Sequence, residues 1–224
     1  MERYGLGALL VVDLQVISPW IKIPYTLFVF VLVPVYWIRY GPANFLWFSD
    51  IALIGTLVAL WLESRFLLSM MAVGVLLFDI VWNFIFFSKL LLGAGPGFVD
   101  FMFDPAIALP IRALSLFHVA LPIIQLWSLS KMGYDVRAWK YQALLGCIIF
   151  PLTYGVSRPE KNINWVFGVT EVPQQWLPAP LYLAALMVIY PTLVCFPTHL
   201  VLKRLFPKTQ EVRLDKEKIA RPHM

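Results

Sequence analysis

The sequence predicts an all-α, polytopic bundle of about six membrane-spanning helices. Of its 224 residues, 60 % are apolar and 14 % are charged. Apolar runs of about 20 residues, the length that crosses a membrane as a helix, recur along the chain. A soluble domain has about 25 % charged residues, and this composition could not cover a soluble protein's surface. The composition therefore excludes a soluble enzyme, a disordered tail and a nucleic-acid-binding domain.

Six apolar segments are predicted to span the membrane, each ended by a turn or a polar loop. Ser18-Pro19 begins the first span, since Pro is tolerated in the first turn of a helix, and Tyr40-Gly41-Pro42 ends it. The short turn Glu63-Ser64-Arg65 makes the second and third spans antiparallel neighbours. We expect a kink or local opening in the sixth span at Pro191 and Pro197. The predicted spans are residues 20–37, 43–62, 66–87, 111–130, 141–156 and 179–202.

The segments outside the spans have compositions typical of the membrane surface. Residues 5–16 are apolar but contain Asp13 and are too few to cross, so we expect an interfacial N-terminal helix. Two aromatic segments, residues 98–105 and 157–178, are expected to cover the outer face. The chain is then a single transmembrane domain over residues 1–205, followed by a basic tail over residues 206–224.

The basic residues predict an orientation with both termini in the cytoplasm. Six spans put the two ends on one side, and that side would have 12 Lys and Arg residues against 5 on the other. Cytoplasmic loops of membrane proteins have such an excess, and the tail is expected to contact anionic lipids. We therefore expect a multi-pass protein of the cell membrane, that of a bacterial inner membrane.

Ionisable residues within the spans are the main functional clue, because each costs about 2.5–3.5 kcal/mol at the membrane centre. Asp50, Asp79 and His118 are on three different spans, and a rise of about 1.5 Å per residue puts them in one layer of the outer half. His199 lies toward the cytoplasmic side of the sixth span. Each residue also has a structural interpretation, such as an interhelical hydrogen bond or a packed histidine, and Asp79 with Asn83 is typical of such a bond.

Two carboxylates and one histidine allow two kinds of chemistry. His118, Asp50 and Asp79 could together bind a divalent metal ion, since imidazole and carboxylate are both metal ligands. Alternatively, a carboxylate could orient His118, which would then activate a water or a hydroxyl such as that of Ser49. The sequence does not identify a cofactor.

Three motifs follow one another over residues 44–127, with the sequences NFLWFSDIALI, LLFDIVWN and SLFHVALPIIQLW. In this order they resemble the YwaF-like bacterial integral membrane proteins. Relatives of that family are the ether-phospholipid acyltransferase and the androgen-induced membrane hydrolase families, in which a small nucleophile on an early span and a histidine carry the chemistry. The resemblance implies that His118 is this histidine. The nucleophile position falls at Ser49 or Asp50, where the family has Cys or Thr.

The predicted function is that of a membrane-embedded lipid hydrolase or acyltransferase, with membrane lipids as its partners. In this hypothesis His118 is the general base and is oriented by Asp50 or Asp79. One alternative is a non-catalytic scaffold subunit of a larger membrane complex, which the short loops and abundant aromatic residues favour. A second alternative is a small transporter or proton-coupled channel, which requires a polar path across the whole membrane.

Overall fold

The computed structural model describes residues 16–170 and 172–207. Over these residues the chain forms helices and loops and no strand, so the all-α prediction is confirmed there. The interfacial helix predicted for residues 5–16 lies, apart from Val16, outside the described residues. The basic tail beyond Pro207 also lies outside them.

Eight α-helices are present in the described part of the chain. They are α1 (Pro19–Tyr40), α2 (Phe48–Leu62), α3 (Arg65–Leu92), α4 (Leu109–Leu114), α5 (Phe117–Met132), α6 (Ala138–Val156), α7 (Ala179–Ile189) and α8 (Phe196–Leu205). Three 3₁₀ helices lie between them, at Pro42–Leu46, Gly97–Met102 and Ile163–Trp165. A π-helical segment, Tyr190–Cys195, joins α7 to α8.

Capping residues at the helix ends explain where the helices begin and end. The hydroxyl of Ser18 accepts a hydrogen bond from the N–H of Trp20 in α1, as expected of an N-terminal cap. Gly93, with φ +69°, ends α3 in the left-handed conformation that glycine adopts without a steric penalty. The helix α3 therefore continues to Leu92 and does not end at residue 87.

Four helical segments of the described chain are long and apolar enough to cross a membrane. They are Pro19–Tyr40, Arg65–Leu92, Leu109–Met132 and Ala179–Leu205. The helix α2 is apolar but has only 15 residues, and α6 is not among the four. The structure thus supports a helical membrane protein, and about six spans remains a prediction.

The second predicted span is not continuous from residue 43. Residues Pro42–Leu46 form a separate 3₁₀ helix, Trp47 has a non-helical backbone with ψ 132°, and α2 begins at Phe48. Asp50 consequently lies in the first turn of α2. The expectation of a span that is helical from residue 43 was wrong.

The fourth predicted span is broken at Ser115 and Leu116, between α4 and α5. The N–H groups of Ser115, Leu116 and His118 bond to carbonyls three residues back, which is the spacing of a tighter turn. The predicted span over residues 111–130 therefore lies within the segment Leu109–Met132 and contains a break. The break lies immediately before His118.

The opening expected in the sixth span is confirmed as the π-helical segment Tyr190–Cys195. Pro191 and Pro197 lack the N–H group that an α-helix requires at these positions. Thr192 donates its hydroxyl to the carbonyl of Val188 at 2.7 Å, within its own helix. Irregular backbone of this kind is tolerated in a membrane where local adjustments satisfy the freed polar groups.

The helix α3 is central, since α2, α5, α6, α8 and the π-helical segment all contact it. The loops meet at two opposite ends of the bundle. At one of them, here named the Glu63 end, Lys22 of α1 pairs with Glu63 at 2.7 Å. The N–H of Tyr134 also donates there to the carbonyl of Phe206 at 2.9 Å.

At the opposite end, here named the Asn164 end, hydrogen bonds from Asn164 connect two loops. The side-chain amide of Asn164 donates to the carbonyl of Leu46 at 2.7 Å, and its oxygen accepts the N–H of Phe48 at 3.1 Å. Lys161 donates to the carbonyl of Tyr40 at the same end. The start of α2 and the loop after α6 are therefore held together.

Candidate functional site

Asp79 and His118 are joined by a hydrogen bond in the interior of the bundle. Asp79 lies near the middle of α3, and His118 is the second residue of α5. The Nδ1 atom of His118 is 2.8 Å from Oδ1 of Asp79. The Asp79 side chain is 1 % exposed and that of His118 is 16 % exposed. A carboxylate accepts the proton of Nδ1, which leaves Nε2 as the nitrogen with a free lone pair.

Two residues one turn further along α3 hold the histidine. The amide of Asn83 donates to the carbonyls of Asp79 at 2.8 Å and of His118 at 2.6 Å. The ring of Trp82 stacks on the imidazole with 4.7 Å between centroids, and Phe117 stacks on it at 4.1 Å. The imidazole is thus fixed by a hydrogen bond and two aromatic rings.

Pro122 explains why the carbonyl of His118 is available to Asn83. In a continuous α-helix this carbonyl would accept the N–H four residues later, but that residue is Pro122 and has no N–H. At the break before His118, the hydroxyls of Ser115 and Tyr36 are 2.8 Å apart and share a hydrogen bond. The sequence of α5 and its contacts to α1 and α3 together set the position of the imidazole.

Asp50 forms a separate site with Asn44. The amide of Asn44 donates to Oδ2 of Asp50 at 3.1 Å, and Oδ1 is buried without a partner in the described residues. The first turn of a helix is a favourable place for a carboxylate, because backbone N–H groups point toward it. Asp50 and the Asp79–His118 pair thus have different hydrogen-bond partners among the described residues.

The other predicted site features are not assembled around His118. No group of three His, Cys, Asp or Glu side chains suited to a metal ion is found in residues 16–170 and 172–207, so Asp50 does not complete a metal site with Asp79 and His118. Ser49 is half-buried at the start of α2. No hydrogen bond joins its hydroxyl to His118 in the described chain.

Asn164 positions the start of α2, a role that the sequence did not predict. It belongs to the loop sequence NINWVFG and fastens the backbone on both sides of Trp47, where the chain turns into α2. Its φ of +53° is in the left-handed region, which Asn adopts more readily than most other residues. The two asparagines of this loop, Asn162 and Asn164, were the signal that could have indicated its role.

A shallow apolar groove runs along α3 from Asn83 toward Leu92. Its lining follows the last turns of α3 and consists of Asn83, Phe84, Phe87, Ser88, Leu91 and Leu92. Phe84 is 74 % exposed and Leu91 is 78 % exposed. The groove is therefore on the exposed lateral surface of the bundle. The amide of Asn83, at one end of the groove, is hydrogen-bonded to the backbone carbonyl of His118.

A second histidine of the described chain, His199, has a different partner. Its Nδ1 is 3.0 Å from the hydroxyl of Tyr134. The rings of Trp139 and Phe196 lie beside it, with centroids at 5.7 and 6.2 Å. This pair lies at the Glu63 end and contains a phenol in place of a carboxylate.

No known protein family, curated protein or solved structure matches this chain. The resemblance to the YwaF-like membrane proteins therefore stays a prediction, based on the three motifs in residues 44–127.

Proposed function

We propose that this chain is a membrane-embedded enzyme that acts on an acyl or ester bond of a membrane lipid, with Asp79 and His118 as its acid–base pair. The proposal is carried by the buried 2.8 Å hydrogen bond between Oδ1 of Asp79 and Nδ1 of His118. A carboxylate that orients an imidazole is the arrangement used for proton transfer in acyl-transfer enzymes. Its location in an apolar bundle favours a substrate that comes from the membrane.

In the proposed reaction, Asp79 orients His118 and stabilises the imidazolium that forms during turnover. Nε2 takes the proton of a water or alcohol hydroxyl while the oxygen of that hydroxyl attacks the ester carbonyl. As the tetrahedral intermediate collapses, Nε2 gives the proton to the departing alkoxide. With water as the attacking group the enzyme is a hydrolase, and with a lipid alcohol it is an acyltransferase.

The apolar groove on α3 supports a lipid as the substrate. It begins at Asn83, whose amide is hydrogen-bonded to the carbonyl of His118. A lipid lying against Phe84, Phe87 and Leu91 would bring its ester groups toward the imidazole. The same exposed face opens to the surrounding membrane, so the substrate needs no aqueous entrance.

The proposed orientation puts the Glu63 end in the cytoplasm and the site in the outer half of about six spans. Among the described residues, the Glu63 end has seven basic residues and the Asn164 end has five, an excess in the direction of the positive-inside rule. The former are Lys22, Arg65, Lys131, Arg137, Lys140, Lys203 and Arg204; the latter are Arg39, Lys89, Arg112, Arg158 and Lys161. The lipid would then enter from the outer leaflet of a cell membrane.

Lipid turnover by purified protein in vesicles tests the proposal. Wild-type protein is expected to release or transfer fatty acyl groups, which mass spectrometry detects. His118→Ala is expected to lower the rate by about 100-fold or more, because it removes the general base. Thr192→Val is the control, since the hydroxyl of Thr192 bonds only within its own helix in the described chain. Equal turnover by wild type and His118→Ala would contradict the proposal.

A further inference from the structure

We propose that Arg112 binds the phosphate of the lipid, which makes a glycerophospholipid the substrate class of the site. The assignment of a substrate rests on the proposed function, whereas the phosphate site itself rests on the contacts of Arg112. The guanidinium has one hydrogen bond in the described chain, from Nη1 to the carbonyl of Met102 at 3.0 Å. Its Nη2 group makes no hydrogen bond among the described residues and is not buried, so it is available to a ligand.

Arg112 has no carboxylate partner among the described residues. The two acidic side chains of the neighbouring loop have other contacts. Asp100 pairs with Lys89, and Oδ1 of Asp104 accepts the N–H of Ala106 at 2.8 Å. The positive charge of Arg112 is thus left without a counter-charge from this part of the chain.

The burial of the guanidinium makes this lack of a partner informative. Arg112 is half-buried, and its Nε is buried without a hydrogen-bond partner in the described residues. Taking a charged group out of water is costly unless it is paired. Phosphate is an anion whose oxygens match the planar fork of an arginine, so a phosphate ligand would supply the absent counter-charge.

Arg112 and His118 follow one another along the chain in the order in which the phosphate and the ester groups of a glycerophospholipid enter the membrane. The backbone connects them in two steps of three residues, through the N–H of Ser115 to the carbonyl of Arg112 and the N–H of His118 to the carbonyl of Ser115. At about 1.5–2.0 Å per residue, Arg112 lies roughly 9–12 Å closer to the Asn164 end. In a glycerophospholipid the ester groups likewise lie several bonds below the phosphate, on the hydrocarbon side.

The loop that holds Arg112 has the composition of the headgroup region. Met102, which accepts the bond from Arg112, ends the 3₁₀ helix Gly97–Met102. Phe98 in this helix is 41 % exposed, and exposed aromatic rings favour the membrane–water interface. A phosphate held by Arg112 would therefore be at its normal depth while the esters reach the Asp79–His118 pair.

Binding of ether lipids by the wild-type protein tests the phosphate site without consuming the ligand. The probes are a fluorescent dialkyl glycerophosphocholine and the matching dialkylglycerol, which has the same chains and no phosphate. We expect tighter binding of the phospholipid. Arg112→Gln should weaken phospholipid binding by about tenfold or more, since a charge-assisted hydrogen bond is lost, and leave dialkylglycerol binding unchanged. Arg158→Gln, an exposed arginine at the same end, is the matched control and should bind as wild type does.

Two further measurements test whether the charge of Arg112 is enough for binding and whether the ligand is a lipid. Arg112→Lys keeps the charge but not the fork, and it should show a smaller loss; it replaces Arg112→Gln if that variant does not purify as a folded protein. Inorganic phosphate in excess should leave the bound phospholipid in place, and complete displacement would overturn a lipid site in favour of one for free phosphate. Equal phospholipid binding by wild type and Arg112→Gln would overturn the phosphate site altogether.

Turnover of a diacyl phospholipid, measured beside binding, separates this inference from the proposed function. Phospholipid preference that depends on Arg112 in a protein without turnover would support the phosphate site and contradict the enzyme. Turnover that Arg112→Gln leaves unchanged would support the enzyme and contradict the role of Arg112.

Discussion

Two histidines lie in opposite halves of the described part of the bundle, and they differ in the group that contacts Nδ1. Oδ1 of Asp79 is 2.8 Å from Nδ1 of His118, and the hydroxyl of Tyr134 is 3.0 Å from Nδ1 of His199. Both imidazoles stand among aromatic rings. A carboxylate stabilises the imidazolium that forms when Nε2 takes a proton, whereas a neutral phenol has no charge to do so. The partner of the ring, and not its aromatic surroundings, therefore distinguishes a candidate base from a structural histidine.

Removing the partner of each histidine should affect turnover in only one case. Asp79→Asn keeps the shape of the side chain but removes the negative charge, so we expect lipid turnover to fall by about 100-fold or more. Tyr134→Phe removes the partner of His199 and should leave the rate unchanged. The measurement is the initial rate of both variants in vesicles. A similar loss in both would remove the distinction between the two histidines.

The packing of α3 and α6 around Tyr190 should be sensitive to added volume. The hydroxyl of Tyr190 donates to the carbonyl of Gly74 at 3.1 Å and accepts from the amide of Gln142 at 2.8 Å. A methyl group on Gly74 would meet Gln142 and would lie 2.8 Å from the Tyr190 hydroxyl. Gly74→Ala is therefore expected to lower the free energy of unfolding by about 1–3 kcal/mol.

Gly155→Ala is the matched control for this substitution. Gly155 is also in a helix, α6, but a methyl group there would meet nothing within 4 Å. Thermal unfolding in detergent compares the two variants. Equal melting temperatures for Gly74→Ala and Gly155→Ala would show that the close packing of Gly74 against Gln142 and Tyr190 does not contribute to stability.

Tyr134→Phe should have a smaller effect on stability than Gly74→Ala. It removes the hydrogen bond to Nδ1 of His199 without creating a cavity, so a loss of about 0.5–1.5 kcal/mol is expected. The same variant is expected to retain turnover. The melting temperature and the rate, measured on one preparation, check both expectations. If Tyr134→Phe is stable but loses turnover, the Tyr134–His199 pair contributes to the reaction.

The smallest expected effect is the pH dependence of the Glu63 end. Burial raises the pKa of Glu63, but hydrogen bonds from Lys22 and from the N–H groups of Ile17 and Val16 outweigh it, so the pKa lies below its ordinary value of 4.5. A carboxylate whose pKa is lowered by folding stabilises the fold above its unfolded pKa, and this is lost as the pH falls through the folded pKa.

Glu63→Gln should therefore have a lower melting temperature than wild type at neutral pH. The difference should shrink as the pH is lowered past 4.5 and through the folded-state pKa. Melting curves of both proteins over this range measure it. If the difference in melting temperature does not change with pH, the charge of Glu63 does not stabilise its contacts with Lys22, Val16 and Ile17.

Local signals explain the parts of the fold that the sequence predicts well. Apolar runs and their breaks depend on neighbouring residues, as at Ser18-Pro19 and at the turn around Glu63. The rise per residue of a helix is fixed, so counting along α3 and α5 was enough to bring Asp79 near His118. The position of Pro122, four residues after His118, is also a local signal that could have indicated a free carbonyl there.

Contacts between distant residues explain what the sequence did not predict. The chain turns into α2 at Phe48, and not at residue 43, where hydrogen bonds to Asn164, more than 100 residues away, hold the backbone on both sides of Trp47. The break before His118 is held by the bond between Ser115 and Tyr36. Neither contact leaves a periodic pattern near the residues it affects, so propensity and spacing alone favour uninterrupted helices at both places.

The most direct test of the account is lipid turnover by His118→Gln and His199→Gln, measured in the same vesicles. Glutamine can occupy either position and form a hydrogen bond, but it cannot take up a proton at neutral pH. We predict that His118→Gln loses turnover by about 100-fold or more, and that His199→Gln keeps the wild-type rate. Turnover that survives His118→Gln, or that is lost equally in both variants, would contradict the assignment of Asp79 and His118 as the acid–base pair.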